Sequence, residues 1–326
     1  MIPSSLATVC YLGAAILFIL SLGGLSHPES SRRGNLYGMI GMALAVLATI
    51  FGPRVTGSGL PWIIGAMAVG GTVGLYAARK VQMTQMPELV ALMHSLVGLA
   101  AVLVGYANYI DPAASFGLTS AEKSIHEIEI YIGILIGAVT FSGSLIASGK
   151  LQGVIRGKPI IFPGSRLLTI AMGLVALFGT FGLVFTATGT VVLDPLVADL
   201  VLLAIIGSAL VFGVTMVLPI GGADMPVVIS LLNAFTGTAA AMAGFAIDNP
   251  VLIIAGALVG ASGGILTKLM ADAMNRSILN IMIGGFGGGE SAVAATGGGA
   301  GGSVRAIGAD DAAIQLAYAS TRAWVP

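Results

Sequence analysis

Nine apolar runs, each close to the roughly 20 residues that a membrane-crossing helix needs, divide the chain almost end to end. They fall at about 4–24, 34–52, 58–79, 86–109, 124–148, 166–188, 195–218, 224–247 and 250–274. The breaks hold residues that end helices or turn the chain: Ser26-His27-Pro28, Gly52-Pro53-Arg54, Asp111-Pro112, Lys158-Pro159 and Asp248-Asn249-Pro250. Only 9% of the residues are charged and the mean hydropathy is +1.01, whereas a water-facing surface brings about 25% charge. A soluble globular enzyme is excluded. The expected fold is an all-α integral membrane protein, a bundle of nine transmembrane helices. The 48 glycines, lacking a G-X-Y period, suit helices packed closely in lipid.

Lys and Arg set the expected orientation. Twelve of the fourteen fall on one side: Arg32, Arg33, Arg79, Lys80, Lys150, Arg156, Lys158, Arg166, Lys268, Arg276, Arg305 and Arg322. The other side keeps Arg54 and Lys123. This bias puts the N-terminus outside and the C-terminus in the cytoplasm. The first run lacks a preceding positive residue and a convincing cleavage site, so it reads as a retained helix.

Composition changes beyond the ninth run. Residues 1–280 read as the membrane domain and 281–304 as a Gly-rich flexible linker, with GGFGGGESAVAATGGGAGGS at 284–303. Residues 305–326 begin with RAIGADDAAIQLAYAS, an amphipathic pattern expected to start a soluble domain that is cut short.

Several kinds of chemistry drop out. Cys10 is the single cysteine, and His27, His94 and His126 are far apart, so neither a disulfide framework nor a metal site is expected. The glycines near 284–289 follow a membrane helix rather than a strand, so they form no dinucleotide fingerprint. There is no P-loop, no Ser/His/Asp arrangement and no aromatic-rich basic patch for nucleic acid.

An ionisable group inside a span is costly and faces the bundle interior or a wet path. His94 lies about 12 Å into the fourth run at 1.5 Å per residue, on a face with Gly98, Ala101, Gly105 and Asn108. Its imidazole titrates near neutral pH; the simpler alternative is a neutral ring bonded to a backbone carbonyl. Asn233 lies at nearly the same depth in the eighth run, beside Ser230, Gly237, Ala240 and Gly244. Its carboxamide can orient a histidine or hold water, or serve as glue between helices.

Asp224 opens the eighth run after Gly221-Gly222-Ala223, where capping and the helix dipole already favour an acid. Arg276 and Ser277 follow the ninth run, and Lys268 and Asp272 have the i,i+4 spacing of a helical ion pair. Gly256, Gly260 and Gly264 form a small-residue series, suited to close packing or to helix movement. Glu127, with His126 and Glu129 at the outer end of the fifth run, fits either a proton funnel or a solvated helix end.

Four strings then carry a resemblance: MTQMPELVALMHSLVGLAAVLVGYANYI (83–110), IGAVTFSGSLIASGKLQG (136–153), GGADMPVVISLLNAFTG (221–237) and GALVGASGGILTKLMADAMNRSI (256–278). With the nine runs, the chain resembles the beta subunit of proton-translocating NAD(P) transhydrogenase over residues 1 to about 320. The resemblance implies hydride transfer between NADH, on a partner alpha chain, and NADP, on a C-terminal domain of the beta chain, coupled to inward passage of a proton. His94 and Asn233 match the residues tied to proton translocation. Asp224, Arg276 and Ser277 match those tied to communication with the NADP-binding domain.

It also implies a multi-pass protein of the bacterial inner membrane, an alpha-subunit partner with its own membrane helices, and a homodimer of protomers. Where that family continues into a strand and a Gly-rich NADP loop, this sequence runs TRAWVP. The expectation is that this chain binds neither nucleotide by itself. A secondary transporter or proton channel gated by His94, or a structural scaffold, are the other readings open to the residues.

Overall fold

The computed structural model describes residues 3–278, apart from 112, 115, 275 and 276. Among the described residues there are nine long helices and no strand: α1 (Ser4–Leu25), α2 (Ser31–Ile50), α3 (Leu60–Lys80), α4 (Met86–Ile110), α5 (Ser120–Leu151), α6 (Ser165–Ala187), α7 (Pro195–Val217), α8 (Met225–Ala246) and α9 (Pro250–Ala273). All nine are long and apolar enough to cross a membrane. Their ends lie within a few residues of the apolar runs. The linker at 281–304 and the stretch 305–326 fall outside the described residues, as does Arg276.

Local chemistry explains where the helices start. Asp194 accepts a hydrogen bond from Leu196 N at 3.0 Å, and Asn249 Oδ1 accepts from Val251 N and Leu252 N at 3.2 and 3.4 Å. Each is followed by a proline at the first helical position, where a missing N–H costs nothing. At α5, Thr119 and Glu122 satisfy each other's backbone N–H groups in a capping box.

Among consecutive helices, α1–α2, α4–α5, α5–α6, α6–α7 and α8–α9 pack on each other, whereas α7 and α8 meet through α5. With successive spans alternating in direction, the connections 26–30, 81–85, 152–164 and 218–224 share one end, the basic end. Buried α5 is the hub, in contact with α4, α6, α7 and α8; 67% of its apolar window is buried. By contrast, no residue of α3 is buried. Lipid tails are as apolar as leucine side chains, so contact distance rather than hydrophobic burial selects neighbours here. Where α4 crosses α5, a Cβ on Gly98 would sit 2.7 Å from Gly137 O and from Phe141 N. Where α8 crosses α9, a Cβ on Gly237 would sit 2.2 Å from Gly260 N. Both contacts are with backbone that cannot step aside.

Two expectations need correction. The seam of α9 runs through Gly256, Gly260 and Gly263, since a Cβ at Gly263 would lie 2.7 Å from Ala234 N, whereas Gly264 faces open space. At 3.6 residues per turn, a second step of four drifts off the contact line and a step of three returns to it. Lys150 is not a loop cation either. It lies in the last turn of α5 and is only 5% exposed. At the opposite end Arg54 pairs with Asp248 and also bonds Ile247 O, and Lys123 meets Glu127 at 3.8 Å.

Candidate functional site

His94 and Asn233 meet between α4 and α8, with His94 Nε2 and Asn233 Oδ1 3.0 Å apart. A carboxamide oxygen only accepts, so Nε2 carries the proton of this bond and Nδ1 is the position left to gain or lose one. The amide nitrogen is turned toward α9, close to Gly263. Ser230 Oγ donates to Gly263 O at 3.2 Å, as does Thr267 Oγ1 at 2.7 Å. The Ser230 bond ties α8 to α9 about one turn from the asparagine, while the Thr267 bond lies within α9.

His94 Nδ1 is buried and bonds no described protein group. Ser144 Oγ on α5 is buried and unbonded in the same sense. Helix α5 is fixed against α4 at the Gly98–Gly137 crossing and again where Ser148 Oγ donates to Glu88 O at 3.1 Å. Ser144 lies on α5 between these two points, which by helical rise puts it within about one turn of the level of His94. A buried polar atom without a partner costs about 1–3 kcal/mol, so both atoms have capacity for a further hydrogen bond. Sequence reasoning missed Ser144, although one more polar residue on the small-residue face of α5 was visible.

A polar vestibule of about 750 Å³ opens at the end opposite the basic one, lined by residues that include Arg54, Asn108, His126, Glu129 and Asp248. His126 Nε2 is buried there without a bond to a described group. Asn108 is about 21 Å from His94 along α4 at 1.5 Å per residue. Glu129 is among the residues that line this space, and Glu127 lies 3.8 Å from Lys123.

At the basic end, Asp224 closes a short 3-10 turn, Gly222–Asp224, that leads into α8. Its side chain makes no capping hydrogen bond to α8, so simple capping does not account for the acid. The most strongly buried cluster of the bundle lies between Asp224 and the His94–Asn233 pair: Met216, Val217, Ile220, Met225, Val227, Val228 and Leu232. Ser277 is exposed. Lys268 Nζ and Asp272 Oδ2 pair at 2.8 Å on the surface of α9. No group of three or more His, Cys, Asp or Glu that could hold a metal occurs among the described residues.

A family profile described as NAD(P) transhydrogenase beta subunit matches residues 7–326. The chain belongs to the NAD(P) transhydrogenase beta-subunit family. Two Rhodospirillum rubrum sequences named NAD(P) transhydrogenase subunit beta are each 48% identical to it, over 99% of this chain and 67% of the relative's length. As a transhydrogenase beta subunit, it is a membrane subunit of an oxidoreductase complex that includes an alpha subunit. The polar pair at its centre is therefore a feature of a membrane-embedded transhydrogenase subunit.

Proposed function

We propose that this chain forms the proton-translocating domain of the transhydrogenase and couples inward proton passage to hydride transfer from NADH to NADP. The observation that carries this reading is the 3.0 Å His94–Asn233 bond, which leaves Nδ1 buried and open to a transient partner. A membrane-embedded base poised in this way takes a proton from one side and returns it to the other only if its surroundings alternate.

In this proposal the vestibule with His126 and Glu129 collects protons on the outer side. His94 holds the proton, with Asn233 keeping the ring oriented and Ser144 of α5 as a further polar group of the path. Protonation of Nδ1 adds a charge among packed helices, and α8 carries the response to Asp224 at the cytoplasmic end. Arg276 and Ser277 are assigned to the same contact with the NADP-binding domain. Both nucleotides are assigned to the soluble domains, NADP to the C-terminal one and NAD to the alpha partner. The remaining assignments are a homodimer of protomers in the bacterial inner membrane, its N-terminus outside.

The energetics suit such a coupling. One charge moved through 100 mV supplies about 2.3 kcal/mol, which is roughly a 50-fold bias at about 1.36 kcal/mol per tenfold. The test is proton uptake by the complete complex in liposomes, with His94 and with His94→Gln. Uptake is expected to vanish in the variant while nucleotide binding by the soluble domains persists. Pumping at the unaltered rate would remove His94 from the pathway.

A further inference from the structure

Lys150 is a long cation enclosed where three stretches of chain meet. Its Nζ donates to Val217 O at 3.3 Å, to Ile220 O at 2.7 Å and to Leu218 O. The ammonium has three donors and no accepting capacity, so these carbonyls use it fully. All three acceptors belong to the end of α7 and the connector that follows it. A helix C-terminus carries partial negative charge, which offsets part of the cost of keeping an ammonium away from water.

The same connector is held from a second side. Ile160 N donates to Leu218 O and Gly222 N to Gly157 O, each at 3.0 Å. Residues 217–222 are thus clasped between Lys150 and the 155–160 loop. Asp224 comes just beyond the clasp, followed by the first turn of α8, in which Met225, Val227 and Val228 are buried. On α5, Lys150 is two residues from Ser148, whose hydroxyl fastens α5 to α4 at Glu88 O. The connector is therefore referenced to the same two helices, α4 and α5, that enclose His94.

A lysine serving only the positive-inside bias would reach for water, and it would snorkel from this position with ease. Here the side chain instead turns inward to backbone. We infer that Lys150 is a positioning residue: its ammonium fixes the 218–224 connector, and so the placement of Asp224, in the arrangement through which the membrane helices act on the NADP-binding domain. This rests on the reading of Asp224 as a contact with that domain.

The test uses the complete reconstituted complex carrying a nitroxide on Gly222→Cys in a background without other reactive thiols. Gly222 is exposed, and a Cβ there has no neighbour nearer than 3.9 Å. Lys150→Met keeps the length and removes the charge; Lys150→Arg keeps the charge. The Met variant is expected to increase nitroxide mobility at 222 and to lower the protons moved per hydride transferred by more than half. The Arg variant should restore most of both, and circular dichroism confirms that each variant is folded. Unchanged mobility in a folded Lys150→Met protein overturns the role of Lys150 itself. A loosened connector with an unchanged proton-to-hydride ratio overturns the reading of Asp224 beneath it, leaving Lys150 as a structural cap.

Discussion

His94 Nε2 and Asn233 Oδ1 are 3.0 Å apart although 139 residues separate them in the chain. The bond joins α4 to α8, the helix that begins next to Asp224, so the ring's orientation and the position of α8 are set together.

Replacing Asn233 with Leu removes the acceptor and strands the Nε2 proton. Stability should fall by about 1–3 kcal/mol, and proton uptake by the complex should drop at least about tenfold, the rate equivalent of about 1.36 kcal/mol. Asn233→Asp keeps an accepting oxygen at the same reach and should retain more of both. Thermal unfolding in detergent and pumping in liposomes measure the two effects; equal losses in Leu and Asp variants would count against the bond.

Gly237 and Gly264 should answer the same substitution in opposite ways. A methyl at Gly237 would meet the backbone of Gly260 at 2.2 Å, while one at Gly264 meets nothing within 4 Å. Gly237→Ala should therefore destabilise by about 1–3 kcal/mol through overpacking. Gly264→Ala should leave stability level or raise it by up to about 1 kcal/mol through better helix propensity. Midpoint shifts in thermal unfolding decide between them.

Asp248 holds a left-handed backbone conformation, φ 48°, at the turn between α8 and α9. Its ion pair with Arg54 joins two exposed side chains, and such pairs contribute about 0–1 kcal/mol. Asp248→Gly should thus be tolerated, because the backbone cost it relieves is comparable with the ion pair it loses. Asp248→Val should cost about 1–2 kcal/mol more than the glycine variant. Comparing the melting temperatures of the two variants separates backbone strain from charge.

The nine helices were legible because length and apolarity alone specify a spanning segment. Asn249-Pro250 announced a helix start without tertiary information. The equal depth of His94 and Asn233 on faces of small residues was also legible, though not that α4 and α8 meet there. What the pattern could not reveal depends on which helices touch. Lys150 satisfies the positive-inside bias equally well in a loop or buried, and only the proximity of α7's end to α5 draws it inward. Ser144 looks like any small polar residue on a packed face until α4 is laid against it. Helix α3 is as apolar as several of its packed siblings but buries nothing, because lipid and protein neighbours ask for the same side chains.

At 32 residues, α5 is about 48 Å long, against a hydrocarbon layer of about 30 Å. Tilt absorbs only part of that surplus, so its first turns, with Thr119, Glu122 and Lys123, stand up among headgroups and water. The hub of the bundle is thus also a mast above the bilayer. On the proposed proton path, a proton from bulk solution meets ionisable side chains before it meets lipid, and its desolvation is deferred to the interior.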